Sequence, residues 1–141
     1  MTFLALLIPA MAVAGCASTP VVRGPFDGLF PAFGDTAPLP VSVDDRTGLV
    51  RAVSVVPPGM VDDGISGVPG RDDALHVHWL GGMCDERVRI LGEPVDGGLS
   101  VTLDTDVVGA CLLAGIGRSL MLEFTEPVDP STVSFTDVDG P

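Results

Sequence analysis

Residues 75–80 read Leu-His-Val-His-Trp-Leu, and their reading decides the fold. Apolar and polar side chains alternate with a period of two. Leu75, Val77 and Trp79 fall on one face of an extended chain, His76 and His78 on the other. A helix would scatter those five residues around its axis. A strand with one face in a core keeps them sorted. The same alternation recurs on both sides of this stretch. Residues 49–56 (LVRAVSVV) form one run, closed by Pro57-Pro58. Residues 87–91 place Val88 and Ile90 inward, Arg87 and Arg89 outward. Residues 99–105 place Leu99, Val101 and Leu103 inward, with Ser100, Thr102 and Asp104 outward. Residues 120–125 bury Leu120, Leu122 and Phe124, and residues 132–136 bury Val133 and Phe135. Turn formers separate the runs: Gly81-Gly82, Asp96-Gly97-Gly98 and Asp129-Pro130. No segment carries a helical stripe, although residues 107–118 leave room for one turn. The expectation is an all-β chain: a small antiparallel β-sandwich of about six to seven strands.

Composition narrows the function classes. The chain has 141 residues and a formal net charge of −12, with 19 acidic residues against seven basic ones, all arginine. Nucleic acid is disfavoured, because its phosphates would be repelled rather than neutralised. Docking on an anionic membrane through a basic patch is disfavoured for the same reason. The 18 glycines and 13 prolines imply many turns and few long helices.

The first fifteen residues, MTFLALLIPAMAVAG, carry no charge. They are too short for a permanent membrane helix, which needs about 20 apolar residues. They fit the apolar core of an export signal, about 7–15 residues long. The stretch ends Val13-Ala14-Gly15-Cys16. This resembles the lipobox of bacterial lipoproteins, in which an apolar residue and two small residues precede an invariant cysteine. The resemblance implies that Cys16 receives a diacylglycerol and becomes the first mature residue after cleavage. Residues 1–15 would then be a lipoprotein signal peptide, and the protein would sit on the extracytoplasmic face of the cell membrane. Two acyl chains give stable attachment where one is marginal.

Residues 16–48 read as a lipid-anchored, Pro/Gly-rich tether, with prolines at 20, 25, 31, 38 and 40. Proline removes a ladder donor and interrupts a helix. Phe26, Leu29, Phe30 and Phe33 cluster inside this stretch. Exposed aromatic clusters are costly in water, so the rings are expected to fold back and cover an open edge; the other reading is a docking peptide. The folded domain is expected over 49–141.

Within that domain, Leu122-Glu123-Phe124-Thr125-Glu126-Pro127-Val128-Asp129-Pro130-Ser131-Thr132-Val133 resembles a strand–turn–strand motif of bacterial immunoglobulin-like domains. The likeness covers about twelve residues and implies an immunoglobulin-like sandwich. Such repeats are commonly spacers or adhesive modules of surface proteins. Trp79-x-Gly81-Gly82-x-Cys84-Asp85 is similar to a turn in small secreted actinobacterial proteins, a likeness that supplies no activity.

With Cys16 acylated, Cys84 and Cys111 form an even pair in an oxidising compartment, and a disulfide between them is expected. Metal ligation or a reactive thiol is the competing reading.

No enzyme signature is present: no Gly-x-Ser-x-Gly, no His-Glu-x-x-His, no phosphate loop and no Cys-x-x-Cys. A non-enzymatic role is expected. The Asp pairs at 44–45, 62–63 and 72–73 read as solvated turn residues, since the spaced calcium loop is missing. His76 and His78 share a strand face and could hold zinc or copper with a third ligand from Asp72, Asp73, Asp85 or Met83. The plainer reading makes both rings outward polar residues. A second candidate joins the same pair to Arg87 and Arg89. If residues 75–80 and 87–91 form a hairpin, the four side chains make a cationic patch for an anionic ligand. In an immunoglobulin-like fold those strands cross between sheets, the patch disappears, and Arg87 or Arg89 pairs with Glu123. The sequence thus points to a membrane-tethered binding module with an envelope protein as partner and no cofactor beyond the lipid. Its alternative is a zinc- or copper-binding lipoprotein.

Overall fold

The structure, a computed structural model, describes residues 26, 28–30, 32, 38–58, 62–109 and 115–138. The proposed signal peptide, Cys16, Phe33 and Cys111 lie outside the described residues. The chain is all-β, with no α-helix among the described residues.

Nine strands run in chain order: β1 (Gly28–Phe30), β2 (Leu39–Asp45), β3 (Val50–Val55), β4 (Gly64–Gly67), β5 (Ala74–Gly81), β6 (Asp85–Val95), β7 (Gly98–Val107), β8 (Ile116–Phe124) and β9 (Val133–Asp137). They form two open sheets, ordered β1-β2-β6-β7-β9 and β3-β8-β5-β4. One hydrophobic core joins them. Val41, Val43, Val88, Ile90, Val101 and Leu103 face it from the first sheet. Val50, Leu75, Val77, Trp79, Leu120, Leu122 and Phe124 face it from the second. The alternation read from residues 75–80 holds, with Leu75, Val77 and Trp79 buried between half-buried His76 and His78.

Two expectations change. The sheets are not purely antiparallel, because β2 pairs with β6 and β7 with β9 in parallel. The folded unit also begins well before residue 49. Leu39–Asp45 lies inside the first sheet, with Leu39, Val41, Val43 and Asp45 buried. The prolines that argued for a spacer stand at its margin. Pro38 precedes β2, and Pro40 is its exposed second residue, where it pairs only with the short edge strand β1. At such a place proline's missing donor costs little. The two described rings of the aromatic cluster fold back as expected, Phe30 buried and Phe26 packed against the core, whereas Leu29 between them stands exposed.

The β6–β7 hairpin shows how local chemistry fixes register. Val95 pairs with Gly98 around Asp96-Gly97, and Gly97 takes φ +81°, a conformation that glycine adopts without a Cβ clash. The β2–β3 corner is held by Asp45, which is buried rather than solvated. Its Oδ1 accepts from the Thr47 amide at 2.9 Å and the Thr47 hydroxyl at 2.5 Å, and its Oδ2 accepts from the Val50 amide at 2.8 Å. Asp45→Ala is expected to lower unfolding free energy by about 3 kcal/mol in urea titrations, since it strands buried amide donors.

Candidate ligand-binding cleft

Along β8 the residues of one parity face the core: Arg118, Leu120, Leu122 and Phe124 are all buried. Arg118 is thus a cation in a position that the pattern reserves for an apolar side chain. Its cross-strand partner on β5 is Trp79. Arg118 is 9% exposed and Trp79 1%, so neither reaches bulk water freely.

Three groups hold the guanidinium. Nη2 donates to the Gly82 carbonyl at 3.1 Å. Asp85 Oδ2 lies 3.6 Å from Nη2, and it accepts from the Gly82 amide at 2.8 Å. The guanidinium carbon stands 5.8 Å from the centroid of Phe30, within cation–π range. Phe30 meets Trp79 edge-on, at 5.4 Å and 87°. The backbone of β5 passes so close that a Cβ on Gly81 would meet the Asp85 carboxylate and lie 2.5 Å from Arg118 Nε, which explains a glycine there. Burial pushes the Asp85 carboxyl above its ordinary value, against the pull of the Gly82 amide and Arg118. Burial likewise lowers Arg118, with Asp85 opposing. Arg118 Nε and Trp79 Nε1 are buried with no hydrogen-bond partner among the described residues.

Above Arg118 opens a cleft of about 680 Å³. Phe30 and Ala32 form one side, residues 55–58 another, and residues 115–118 the floor. Arg118 supplies the charged group of a largely apolar lining.

The residues singled out in the sequence lie elsewhere. His76 and His78 project from the outer face of the second sheet, ring centroids 5.5 Å apart. Ser66 Oγ lies 2.7 Å from His78 Nε2, and Ser119 Oγ 3.0 Å from Nδ1. A neutral ring satisfies both contacts, since one nitrogen donates and the other accepts. Burial, and secondarily His76, lower the His78 pKa. A depressed base binds fewer protons folded than unfolded, so its contribution is full above the unfolded value of about 6.5 and fades as pH falls below it. Urea midpoints are therefore expected to drop between about pH 7 and 5, and His78→Gln to flatten that slope.

The cationic patch is not assembled. β5 and β6 belong to different sheets, because the chain crosses over at residues 82–84. Arg87 pairs with Asp106, and Arg89 with Asp104 and Asp106, across the β6–β7 hairpin. Glu123 is not their partner, for it is engaged by Arg71 and lies 4.0 Å from Arg51. Two of the four suggested third metal ligands, Asp73 and Asp85, are engaged elsewhere. Asp73 pairs with Arg71 and Arg51, Asp85 is buried beside Arg118, and Met83 stands exposed in the turn. Among the described residues no group of three His, Cys, Asp or Glu side chains is placed to hold a metal. Met121 of β8 instead pairs with His76 of β5, with its sulfur 4.0 Å from Arg71 Nη1.

Cys84 lies in the same crossover. Its carbonyl accepts from the Val108 amide at 3.2 Å. That bond brings the chain to Cys84 three residues before Cys111, which itself lies outside the described residues.

The cleft was hidden in the sequence because residue 118 falls just before the run read as a strand. Extending that run's parity backwards from Leu120 would have placed Arg118 inward. Compared with family models, with curated proteins and with solved structures, the chain matches none.

Proposed function

We propose that this chain is a non-enzymatic binding module, lipid-anchored through Cys16 to the extracytoplasmic face of the cell membrane. Its sandwich is read as immunoglobulin-like. Consecutive strands that cross between two open sheets support that reading, as they do at β5 and β6. The observation that carries the binding role is the apolar cleft with a buried, incompletely bonded arginine in its floor. Such a pocket, with few polar groups, is the usual form of a ligand site. The expected bridge is Cys84–Cys111, supported by the Val108–Cys84 hydrogen bond.

The anchor is tested by Cys16→Ala. The wild-type chain should pellet with membranes after alkaline carbonate washing, and the variant should lose that attachment. An unchanged distribution contradicts the anchor.

A second reading, a copper site, is favoured by one observation. His76, His78 and Met121 share a patch on the outer face of the second sheet. A thioether beside two imidazoles suits copper(I) better than zinc. Binding would displace a serine hydroxyl from His78. On this reading one copper(I) binds per chain, Met121→Ala weakens it at least about tenfold, and zinc competes poorly. Stoichiometric zinc binding with no effect of Met121→Ala would remove the reading.

A further inference from the structure

We infer that the cleft between Phe30, residues 55–58 and Arg118 takes a small amphiphile: a single carboxylate on an apolar, all-carbon body. The inference deepens the binding-module reading and rests on it for the cleft's role.

The carboxylate follows from the state of Arg118. A guanidinium has five donors in a planar fork. Here one donor, on Nη2, reaches the Gly82 carbonyl; Nε, enclosed beside Gly81, has no partner among the described residues, and the side chain lines the cleft. Asp85 does not close the account. Its nearest oxygen is 3.6 Å from Nη2, beyond hydrogen-bond reach, and that oxygen is already bonded to the Gly82 amide. Asp85 therefore offsets part of the charge without saturating the fork. Burying a cation this way is costly, and apolar side chains of similar volume serve stability as well or better. Phe30 at 5.8 Å adds favourable interaction with the cation but no acceptor. A ligand carboxylate supplies acceptors in the geometry that a guanidinium matches.

A single negative charge costs less here than two. Asp85 already offsets part of the Arg118 charge, so a dianionic phosphate would leave more uncompensated negative charge in a poorly hydrated place than a carboxylate would. The chain's net charge of −12 adds to that repulsion.

The apolar body follows from the walls. Val55, Val56 and Ile116 present hydrocarbon, and Pro57 and Pro58 have no amide proton. An extended peptide would lose solvation of its own backbone groups and find few partners there. A hydrocarbon chain has none to satisfy. The volume of about 680 Å³ lies inside the range of small-molecule sites, about 300–1,000 Å³.

Trp79 is the only tryptophan in the chain and lies against Phe30, so its fluorescence reports on the site. The full chain carrying Cys16→Ala is titrated with decanoate and with decan-1-ol, which share a tail and differ in head. Decanoate is expected to bind one per chain, at least tenfold more tightly than decanol. Arg118→Gln should bring decanoate down to the level of decanol and leave decanol unchanged. Val55→Asp, at a half-exposed wall position, should weaken decanoate at least tenfold with an unaltered circular dichroism melt. This variant decides the matter if Arg118→Gln does not fold. Equal affinity for the two probes, or a folded Val55→Asp that binds decanoate as wild type does, overturns the inference. So does a folded wild type that binds neither probe. Each of these leaves the Cys16 fractionation result standing, and a failed fractionation with intact decanoate binding would sink the anchor alone.

Discussion

Trp79→Ala is expected to remove about 4 kcal/mol of unfolding free energy, a large part of the 5–15 kcal/mol typical of a domain. Trp79 is the largest fully buried side chain, and it packs edge-on against Phe30 of β1 in the core between the sheets. Truncation empties that space and leaves Phe30 without its edge-on ring. Trp79→Phe separates the causes. It keeps an aromatic ring and removes an indole N–H that is buried with no partner among the described residues. An unpaired buried donor costs about 1–3 kcal/mol, which offsets part of the lost volume. The phenylalanine variant should therefore lose no more than about 1–2 kcal/mol. Urea unfolding followed by far-ultraviolet circular dichroism measures both, since the fluorophore is the residue replaced. A phenylalanine variant as damaged as the alanine one would mean that the indole N–H is satisfied after all.

Cys84→Ser is expected to cost about 3 kcal/mol. The cross-link would close a loop of 28 residues from Cys84 to Cys111, and the chain-entropy account assigns such a loop between 3 and 4 kcal/mol, roughly. The site matters as well as the length. Cys84 sits in the crossover that passes the chain from β5 to β6, beside the Gly82 and Asp85 groups that hold Arg118. Loosening it should both destabilise the protein and blunt the discrimination between decanoate and decanol. Reduction of the wild type should reproduce the stability loss and leave the serine variant unmoved. A reductant-sensitive serine variant would contradict the pairing.

Much of the sheet content was legible because these strands bury one face only. The runs around Leu75–Trp79, Leu99–Leu103 and Leu120–Phe124 alternate cleanly, and each appears as a strand. β2 was equally alternating, with Leu39, Val41 and Val43 inward, but Pro38 just before it and Pro40 within it outweighed the pattern. Proline's cost depends on whether its missing donor faces a partner, and that is a fact of sheet position, not of sequence. β1 and β4 are too short to show a period. The crossover was less accessible still. A turn at 82–84 fits a hairpin or a change of sheet equally well. Only the pairing of β5 with β8 and β6 with β7 separates His76 and His78 from Arg87 and Arg89.

The candidate site was the least legible. Cation and carboxylate come from Arg118 on β8 and Asp85 on β6, the ring over them from β1, and one wall from the prolines after β3. Four separated segments converge on one end of the sandwich. No local spacing records that convergence, whereas His76-Val77-His78 announces itself within three residues.

The chain has three cysteines: Cys16, Cys84 and Cys111. On the proposed reading Cys16 is acylated, and Cys111 is then the cysteine left to bond with Cys84. Mass spectrometry of peptides from the unreduced membrane-associated protein tests this most directly. The account predicts a mature amino terminus at Cys16 carrying a diacylglycerol, together with a Cys84–Cys111 cross-linked pair. A Cys16–Cys84 pair, or an unmodified Cys16 still joined to residues 1–15, would contradict it.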